Sequence, residues 1–513
     1  MHRDEWFGAN GIYIRGELDE REVSAEMIFP DGGDGFQINC AVMIVGGSSV
    51  NRWKMDKLSM RLKFKGEYGP TKLSFPVFGD RAADEFNTLV LDARMNNSWA
   101  YGGGVGVKGT RPWGYVGQRD IAQYTRDQFV ADIHNDMGGY SPQGRHVHLY
   151  LNGLYWGLYW VHERPDDSFA ATYLGGEAED YDVLKHKSGT VVSGSNASYN
   201  QMFSIAAGAG ADAQYQLVRQ YLDVTDFADY MITNYYVGNT DWAHQNWYAS
   251  RNRVDPIGRW RYHSWDAEHV VEGLDRDYTG LNNSGGPTAL QQRLRQNAEY
   301  RVLFGDRAHR HFFNNGSLTP DGAKSLYQIR LDDVDRAVVG ESARWGDNHR
   351  STPYTRNVEW VRERDWIVGT YLSQRSDTVL DQFETRGWYP SLEAPVFHIN
   401  GSYQHGGQAF TVDALSMTVP ASQSYIETEL VAQGDSVRAH VPTDNSLGLS
   451  WVEKNFVPGA GWSDGSHPED NPGDVDLWPI EPDGAGSSLT RISATLYGND
   501  PNNRTPATPS PGV

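Results

Sequence analysis

Asp241 and Asn246 stand five residues apart in the run Asn239-Thr240-Asp241-Trp242-Ala243-His244-Gln245-Asn246-Trp247-Tyr248. A carboxylate and an amide at that spacing suit phosphoryl transfer, in which the Asp orients the attacking hydroxyl and the Asn holds a metal ion. A second aromatic run, Arg259 to Trp265, leads into Asp266-Ala267-Glu268. Asp266 ends a strand-like stretch, where a second carboxylate would complete a Mg²⁺ site, since Mg²⁺ takes one or two carboxylates beside phosphate oxygens and water. Glu268 lies two residues on, on the same face if the strand continues, and is a further candidate ligand. Each residue also has a plainer reading: a turn-capping Asp241, a turn amide at Asn246 and a buried Asp266 paired with an Arg.

A triphosphate also needs a fixed cation. Lys57 and Lys63 compete for that role, and Lys63 sits within the alternating strand Met60-Arg61-Leu62-Lys63-Phe64. Lys185 and Lys187 are further candidate phosphate contacts. Asp127 is a carboxylate that could pair with the lysine, or simply form a surface pair with Arg126. Glu163, at the end of a hairpin strand, is placed either to contact adenine or to make a structural ion pair. His146-x-His148 puts two imidazoles on one strand face, and a zinc site would need a third ligand such as His162; hydrogen-bonded hairpin histidines are the commoner outcome. Asp166-Asp167 reads as a helix cap before it reads as half of a glycosidase pair. His244 reads as a positioning hydrogen-bonder rather than a base.

The elements that must hold these groups follow from periodicity. Strands are expected over 36–46, 58–64 and 87–93, and a helix over 117–137 with Ile121, Phe129, Val130, Ile133 and Met137 as its apolar stripe. A hairpin follows: His146 to Leu151, the Asn152-Gly153 turn, and Leu154 to Val161. Residues 198–237 read as mainly helical, with Thr225 as an N-cap. A second hairpin, 246–250 and 258–265, carries the carboxylates, and helices return over 288–385. After Trp388-Tyr389-Pro390 the pattern changes to short β-runs, then to Gly, Pro, Asp and Asn, with a loosely ordered tail at 499–513. The fold class is therefore α+β: a β-rich half at 1–165, a mainly helical half at 166–387, and a β-rich, sandwich-like region at 388–513. That order is the order of a two-lobed, kinase-like fold.

The chain has 513 residues, enough for two or three domains, and a formal net charge of −21. That charge argues against nucleic acid and anionic membranes as partners, which call for basic patches. Cys40, the single cysteine, lies in an apolar run and leaves neither a disulfide framework nor a Cys-based zinc site. No stretch reaches the roughly 18 apolar residues of a membrane span. The start, Met1-His2-Arg3-Asp4-Glu5-Trp6, has no apolar signal segment; beginning inside what reads as folded sequence and ending in a Pro/Asn/Thr-rich tail, the chain reads as a fragment of a longer precursor. The single cysteine is compatible with a bacterial source, and the acidic, polar composition fits a secreted or cell-surface protein ahead of a cytoplasmic one, although many cytosolic enzymes are acidic too.

At Lys57-x-Ser59-x-Arg61-x-Lys63-Phe64, Phe86-Asn87-Thr88-Leu89-Val90-Leu91, Asn96-Asn97-Ser98-Trp99, Arg126-Asp127, Asp136-Met137-Gly138, Tyr150 to Tyr159, Glu163, Asp241 to Trp247 and Trp265 to Glu268, the chain resembles the CotH kinase-like family, named for a bacterial spore coat protein. The resemblance spans roughly residues 7–385. It implies an atypical protein-kinase-like fold, ATP with Mg²⁺ or Mn²⁺, and phosphorylation of protein Ser/Thr hydroxyls. It also implies roles: Asp241 as the proton acceptor, Asn246, Asp266 and Glu268 as metal ligands, and Lys57, Lys63 and Glu163 as nucleotide contacts, with Lys57 at the family's more constant lysine position. Met43 stands where the family often has an Arg, and Arg52 is a candidate to compensate. The competing function is a non-catalytic, pseudokinase-like surface or assembly protein, with residues 388–513 contacting proteins or glycans. A third, carbohydrate processing, is motivated by the 17 Trp residues.

Overall fold

Strand alternation is plainest where the chain first forms a sheet. In β1 (Arg21–Met27) the residues Glu22, Ser24 and Glu26 face solvent while Val23, Ala25 and Met27 turn inward. It pairs antiparallel with β2 (Phe36–Ile44), whose second half is wholly buried. β3 (Met60–Lys63), β4 (Thr88–Asp92), β5 (Gly144–Leu151) and β6 (Leu154–His162) complete a six-stranded antiparallel sheet in the order β1-β2-β3-β4-β6-β5. The β5–β6 hairpin turns at Asn152 and Gly153, both at positive φ, as the sequence predicts for this dipeptide. The protein is described from a computed structural model, and the structure describes residues 3–15, 19–50, 54–79, 82–103, 106–186 and 190–391, with seven short strands beyond them.

A second sheet of four strands has the order β8-β7-β9-β10: β7 (Tyr181–Lys185), β8 (Thr190–Ser193), β9 (Trp247–Asn252) and β10 (Arg261–Ser264). The hairpin expected to bear the carboxylates is therefore two strands of this sheet, joined edgewise to β7. Around it pack the helices Val224–Tyr236, Ala298–Phe312, Pro320–Val334 and Leu372–Thr385. Their core is dense in aromatics, and Trp99, Trp242, Trp247, Trp260 and Trp360 are among its largest fully buried side chains. Most of the described Trp residues are core, so the aromatic richness reflects packing rather than an exposed platform for sugars. A separate core under the six-stranded sheet gathers Trp6, Tyr13, Cys40, Leu58, Trp156 and Tyr159 among others.

Two local expectations are corrected and one strand is added. The helix expected over 117–137 begins only at Arg126, because Tyr124 at φ +69° breaks the helical path. Residues 117–125 form turns instead, with Gly117 N–H donating to Asp120 Oδ2. The helix Val224–Tyr236 is capped by Asp223, whose carboxylate accepts from Asp226 N–H, and Thr225 lies inside it. β1 itself was not anticipated, since its short Val, Ala and Met side chains give a weak apolar signal.

Met1–Pro390 forms one compact unit and Ser391–Val513 a second. In the second unit Val396–Ile399 pairs with Ser402–Tyr403 and with Leu415–Thr418. Ser436–Ala439 pairs with Ser463–Ser466, and Ser488–Arg491 with Arg504–Ala507; all these pairings are antiparallel. Lys187, Arg52 and most of residues 388–513, including much of the tail, lie outside the described residues. Among the described residues no helix is long and apolar enough to cross a membrane.

Candidate functional site

Trp242 and Trp247 are five residues apart and both fully buried in the aromatic core. The residues just before them, Asp241 and Asn246, are thereby turned the other way, into a cleft of about 560 Å³. The loop is fixed at its start by two bonds. Asn239 N–H donates to Asn234 O at the end of the helix Val224–Tyr236, and Thr240 N–H donates to His269 O. The second bond ties the Asp241 loop to the segment after β10, which brings Asp266 and Glu268 to the same cleft. All four residues singled out for phosphoryl transfer thus meet in one place.

Their contacts differ. Asp241 accepts from Gln245 Nε2 at 3.1 and 3.2 Å, and His244 Nε2 lies 3.2 Å from its Oδ1, the positioning contact expected of His244. Asn246 Nδ2 lies 3.4 Å from Asp241 Oδ2, while the Asn246 amide oxygen accepts no hydrogen bond from the described residues. Asp266, at φ +54°, opens to solvent through the cleft and makes no hydrogen bond or ion pair with the described residues. Glu268 is buried and held by Asn96, whose Nδ2 donates to Oε2 at 2.6 Å. Asn97 Nδ2 donates to the Glu268 carbonyl at 2.9 Å.

Two further carboxylates crowd the same wall. Asp92 ends β4 and accepts from Ser59 Oγ at 3.2 Å and from Arg94 N–H at 2.6 Å. Asp127 is buried and ion-paired with Arg94 Nη1 at 3.0 Å, so it is neither a lysine partner nor a surface pair with Arg126. Arg94 stacks its guanidinium 4.0 Å from the Trp160 ring centroid. Four carboxylates thus share one guanidinium. Although its side chain reaches solvent, the protein walls packed around the cleft, then the charges of Asp127, Asp92 and Asp241, push the Asp266 carboxyl up to about 8. Burial, then Asp266 and Asp92, raise Glu268 well above the carboxylate range.

That excess of negative charge is a test of fit for a divalent cation. Hard oxygen donors from Asp266, Glu268 and the Asn246 amide suit Mg²⁺ or Mn²⁺, and a cation would relieve the repulsion among them. Among the described residues no three His, Cys, Asp or Glu side chains are grouped closely enough to cage a metal unaided. A Mg²⁺ site completed by substrate phosphates and water does not require such a cage. The zinc arrangement is not formed: His146 Nε2 contacts Tyr124 O, His148 Nδ1 the Tyr155 hydroxyl and His162 Nδ1 the Glu163 carbonyl. Asp166 caps the helix Asp167–Leu174 by accepting from Phe169 N–H, the plainer of its two readings.

The three nucleotide contacts expected from the sequence do not line the cleft. Lys57 is fully buried, donating to Leu158 O at 2.6 Å and Glu341 Oε1 at 2.7 Å. Lys63 pairs with Glu20 at 2.6 Å. Glu163 accepts from Gln143 N–H at 2.8 Å and from the Tyr173 hydroxyl at 2.9 Å. The cations that do line the cleft are Arg61, Arg164 and Lys185, and of these only Lys185 had been singled out. Asp92 and Arg94 had been passed over as well. A carboxylate closing the apolar strand Thr88–Asp92 repeats the Trp265-Asp266 pattern, and that repetition was the available signal.

Backbone strain gathers here too. Arg94, Asn97, His186, Asp266 and Val271 all have φ between +54° and +58°, and Val271 is β-branched. Non-glycine residues rarely occupy that region, and such strain clusters where side chains must be held in fixed directions.

No curated protein matches the chain. A solved chain from the Shewanella oneidensis MR-1 toxin–antitoxin complex of HipA, HipB and operator DNA matches with 12% identity and a TM-score of 0.24, covering 64% of this chain and 63% of that one. An overlap that partial carries no argument about this protein. The Asp241 loop and the Asp266 segment both fall within residues 117–368, which match the family model described as CotH kinase protein, and on that segment the chain belongs to the CotH-like kinase family.

Proposed function

We propose that the cleft catalyses transfer of the γ-phosphoryl group of ATP to a Ser or Thr hydroxyl of a protein, with Mg²⁺ or Mn²⁺. The observation that carries this reading is the convergence of Asp241, Asn246, Asp266 and Glu268, from two separate segments, on one acidic wall. Asp241 accepts a hydrogen bond from the acceptor hydroxyl and takes its proton as the new O–P bond forms and the bond to the ADP oxygen breaks. Gln245 and His244, both on the Asp241 carboxylate, keep it aimed. Asp266, Glu268 and the Asn246 amide oxygen are the groups that would hold the metal, which supplies charge neutralisation for the phosphates. Catalysis in this class rests on positioning and electrostatics, and the strained, doubly anchored loops of this cleft supply both. We place the two lobes of this kinase at 1–165 and 166–387. Residues 388–513 would serve contacts with other proteins or glycans in a secreted or cell-surface bacterial setting.

The test is calorimetric titration of ATP with and without Mg²⁺ or Mn²⁺, on the wild-type chain and Asp266→Ala, followed by a phosphate-transfer assay. Metal-dependent binding that Asp266→Ala abolishes supports the reading. Absence of binding by a folded wild-type chain would overturn it in favour of a non-catalytic scaffold.

A further inference from the structure

Arg61 and Lys185 lie on strands of two different sheets and Arg164 just beyond the end of a third strand, yet all reach the one cleft. Arg61 lies on β3, Arg164 follows β6, and Lys185 ends β7 opposite Tyr248 of β9. None of the three forms an ion pair with a carboxylate of the described residues within 4 Å. Arg61 Nη2 meets only the Met43 sulfur, at 3.4 Å, and its Nε is buried without a partner. Arg164 Nε donates to the Tyr248 hydroxyl at 3.2 Å. The Lys185 side-chain amine has no hydrogen-bond partner among the described residues.

The three also repel one another. Burial and then Arg164 lower the pKa of Arg61, and burial, Arg164 and Arg61 lower that of Lys185. Four other cations of this strongly acidic chain are neutralised at short range: Lys57 by Glu341, Lys63 by Glu20, Arg94 by Asp127 and Arg111 by Glu363. Partly buried like charges without counter-ions are unfavourable unless a ligand supplies the opposite charge.

We propose that Arg61, Arg164 and Lys185 form the subsite for the phosphate chain of a nucleoside triphosphate, in place of Lys57 and Lys63. The ligand class follows from the two walls. Phosphate oxygens on one side would meet the three cations, and on the other would share a divalent metal with Asp266 and Glu268. An acidic peptide would gain from the cations only, and would be repelled by the five carboxylates of the cleft. The identity of the polyphosphate rests on the phosphoryl-transfer reading above.

The experiment uses the full chain and inorganic tripolyphosphate without divalent metal, so that no metal-mediated attraction to the carboxylate wall contributes and only the cations can hold the anion. Arg61→Met and Lys185→Met should each weaken tripolyphosphate binding about tenfold or more, while Lys185→Arg, which keeps the charge, should bind close to wild type. Thermal unfolding verifies that each variant is folded, and Lys185→Arg carries the test should a Met variant fail. ATP should displace tripolyphosphate. Unchanged affinity in both Met variants, or displacement by a phosphoserine peptide and not by ATP, overturns the assignment. Mg²⁺–ATP binding that is lost in Asp266→Asn but intact in the Arg61 and Lys185 variants removes this subsite and leaves phosphoryl transfer standing. Tripolyphosphate binding that depends on the three cations and yields to ATP, in a chain with no phosphate-transfer activity, supports the subsite and removes the reaction.

Discussion

Lys57 Nζ and Glu341 Oε1 lie 2.7 Å apart, with both side chains fully excluded from solvent. Glu341 also accepts from Leu158 N–H at 2.7 Å, and Lys57 donates to Leu158 O, so the pair clips β6 to the helix Val338–Trp345. An added Cβ at Gly157 would come within 2.7 Å of Glu341 Oε2, which is why the strand carries glycine there. Removing one partner of a buried pair strands the other charge. Lys57→Met should therefore destabilise the chain by about 3–5 kcal/mol. In urea unfolding, Lys57→Met with Glu341→Gln should lose less than the single variants combined. Tripolyphosphate affinity of the folded Lys57→Met fraction should match wild type. A loss of anion affinity without loss of stability would restore Lys57 to the nucleotide.

Asp241 and Asp266 share a cleft but should fail differently. Asp241→Asn keeps the Gln245 and His244 neighbourhood while removing the proton acceptor. Turnover should fall by roughly 10²–10⁴-fold, with Mg²⁺–ATP affinity near wild type. Asp266→Asn should instead remove the metal dependence of ATP binding. Calorimetry with and without Mg²⁺, paired with single-turnover phosphate transfer, separates the two. Loss of binding in Asp241→Asn, with turnover of bound ATP intact, would reverse the roles.

Glu163 gives a pH signature away from the acidic wall. Burial pushes its carboxyl up to about 8, against the hydrogen bonds from Gln143 and Tyr173 and with a further push from the Asp166 charge. A carboxyl raised on folding contributes stability that is whole below its ordinary value near 4.5 and is lost as pH rises through 8. Wild-type stability should therefore fall between pH 5 and 9 by an amount on the order of a few kcal/mol from this group. Glu163→Gln should flatten that fall and close or reverse its deficit at the alkaline end. Urea midpoints across the range are the measurement, and parallel profiles for the two proteins would exclude the effect.

The acidic wall was legible because local pattern and tertiary placement agree. The Trp pair at 242 and 247 buries itself, and Asp241 and Asn246 follow from geometry one residue away. The strand ending at Trp265 delivers Asp266 in the same manner. The cationic wall was not legible, because Arg61, Arg164 and Lys185 meet only through the arrangement of two sheets, and nothing in their spacing records it. Lys57 was misplaced for a related reason: its partner Glu341 is 284 residues away. The stretch before Arg126 shows the limit of periodicity, since an apolar stripe cannot report that Tyr124 has adopted a left-handed backbone.

The turn after β2 supplies the last prediction. Gly46 and Gly47 both line the cleft, but they are unequal. Gly46 has φ +129°, a region closed to residues with a side chain, and an added Cβ would fall 1.8 Å from Ser49 Oγ. An added Cβ at Gly47 meets nothing within 4 Å. Gly46→Ala must therefore distort the turn, at a strain on the order of 1–3 kcal/mol. Gly47→Ala should leave the fold unchanged. If the turn covers the phosphates, Gly46→Ala should also weaken Mg²⁺–ATP binding, because the displaced backbone can no longer approach the anion. Gly47→Ala separates steric exclusion from backbone shape: its methyl group points into open space, so a loss of ATP affinity there without loss of stability would mean that the ligand itself fills that space. Equal and small effects of both substitutions on binding would show that the turn does not touch the nucleotide, and would leave the two charged walls as the whole of the site.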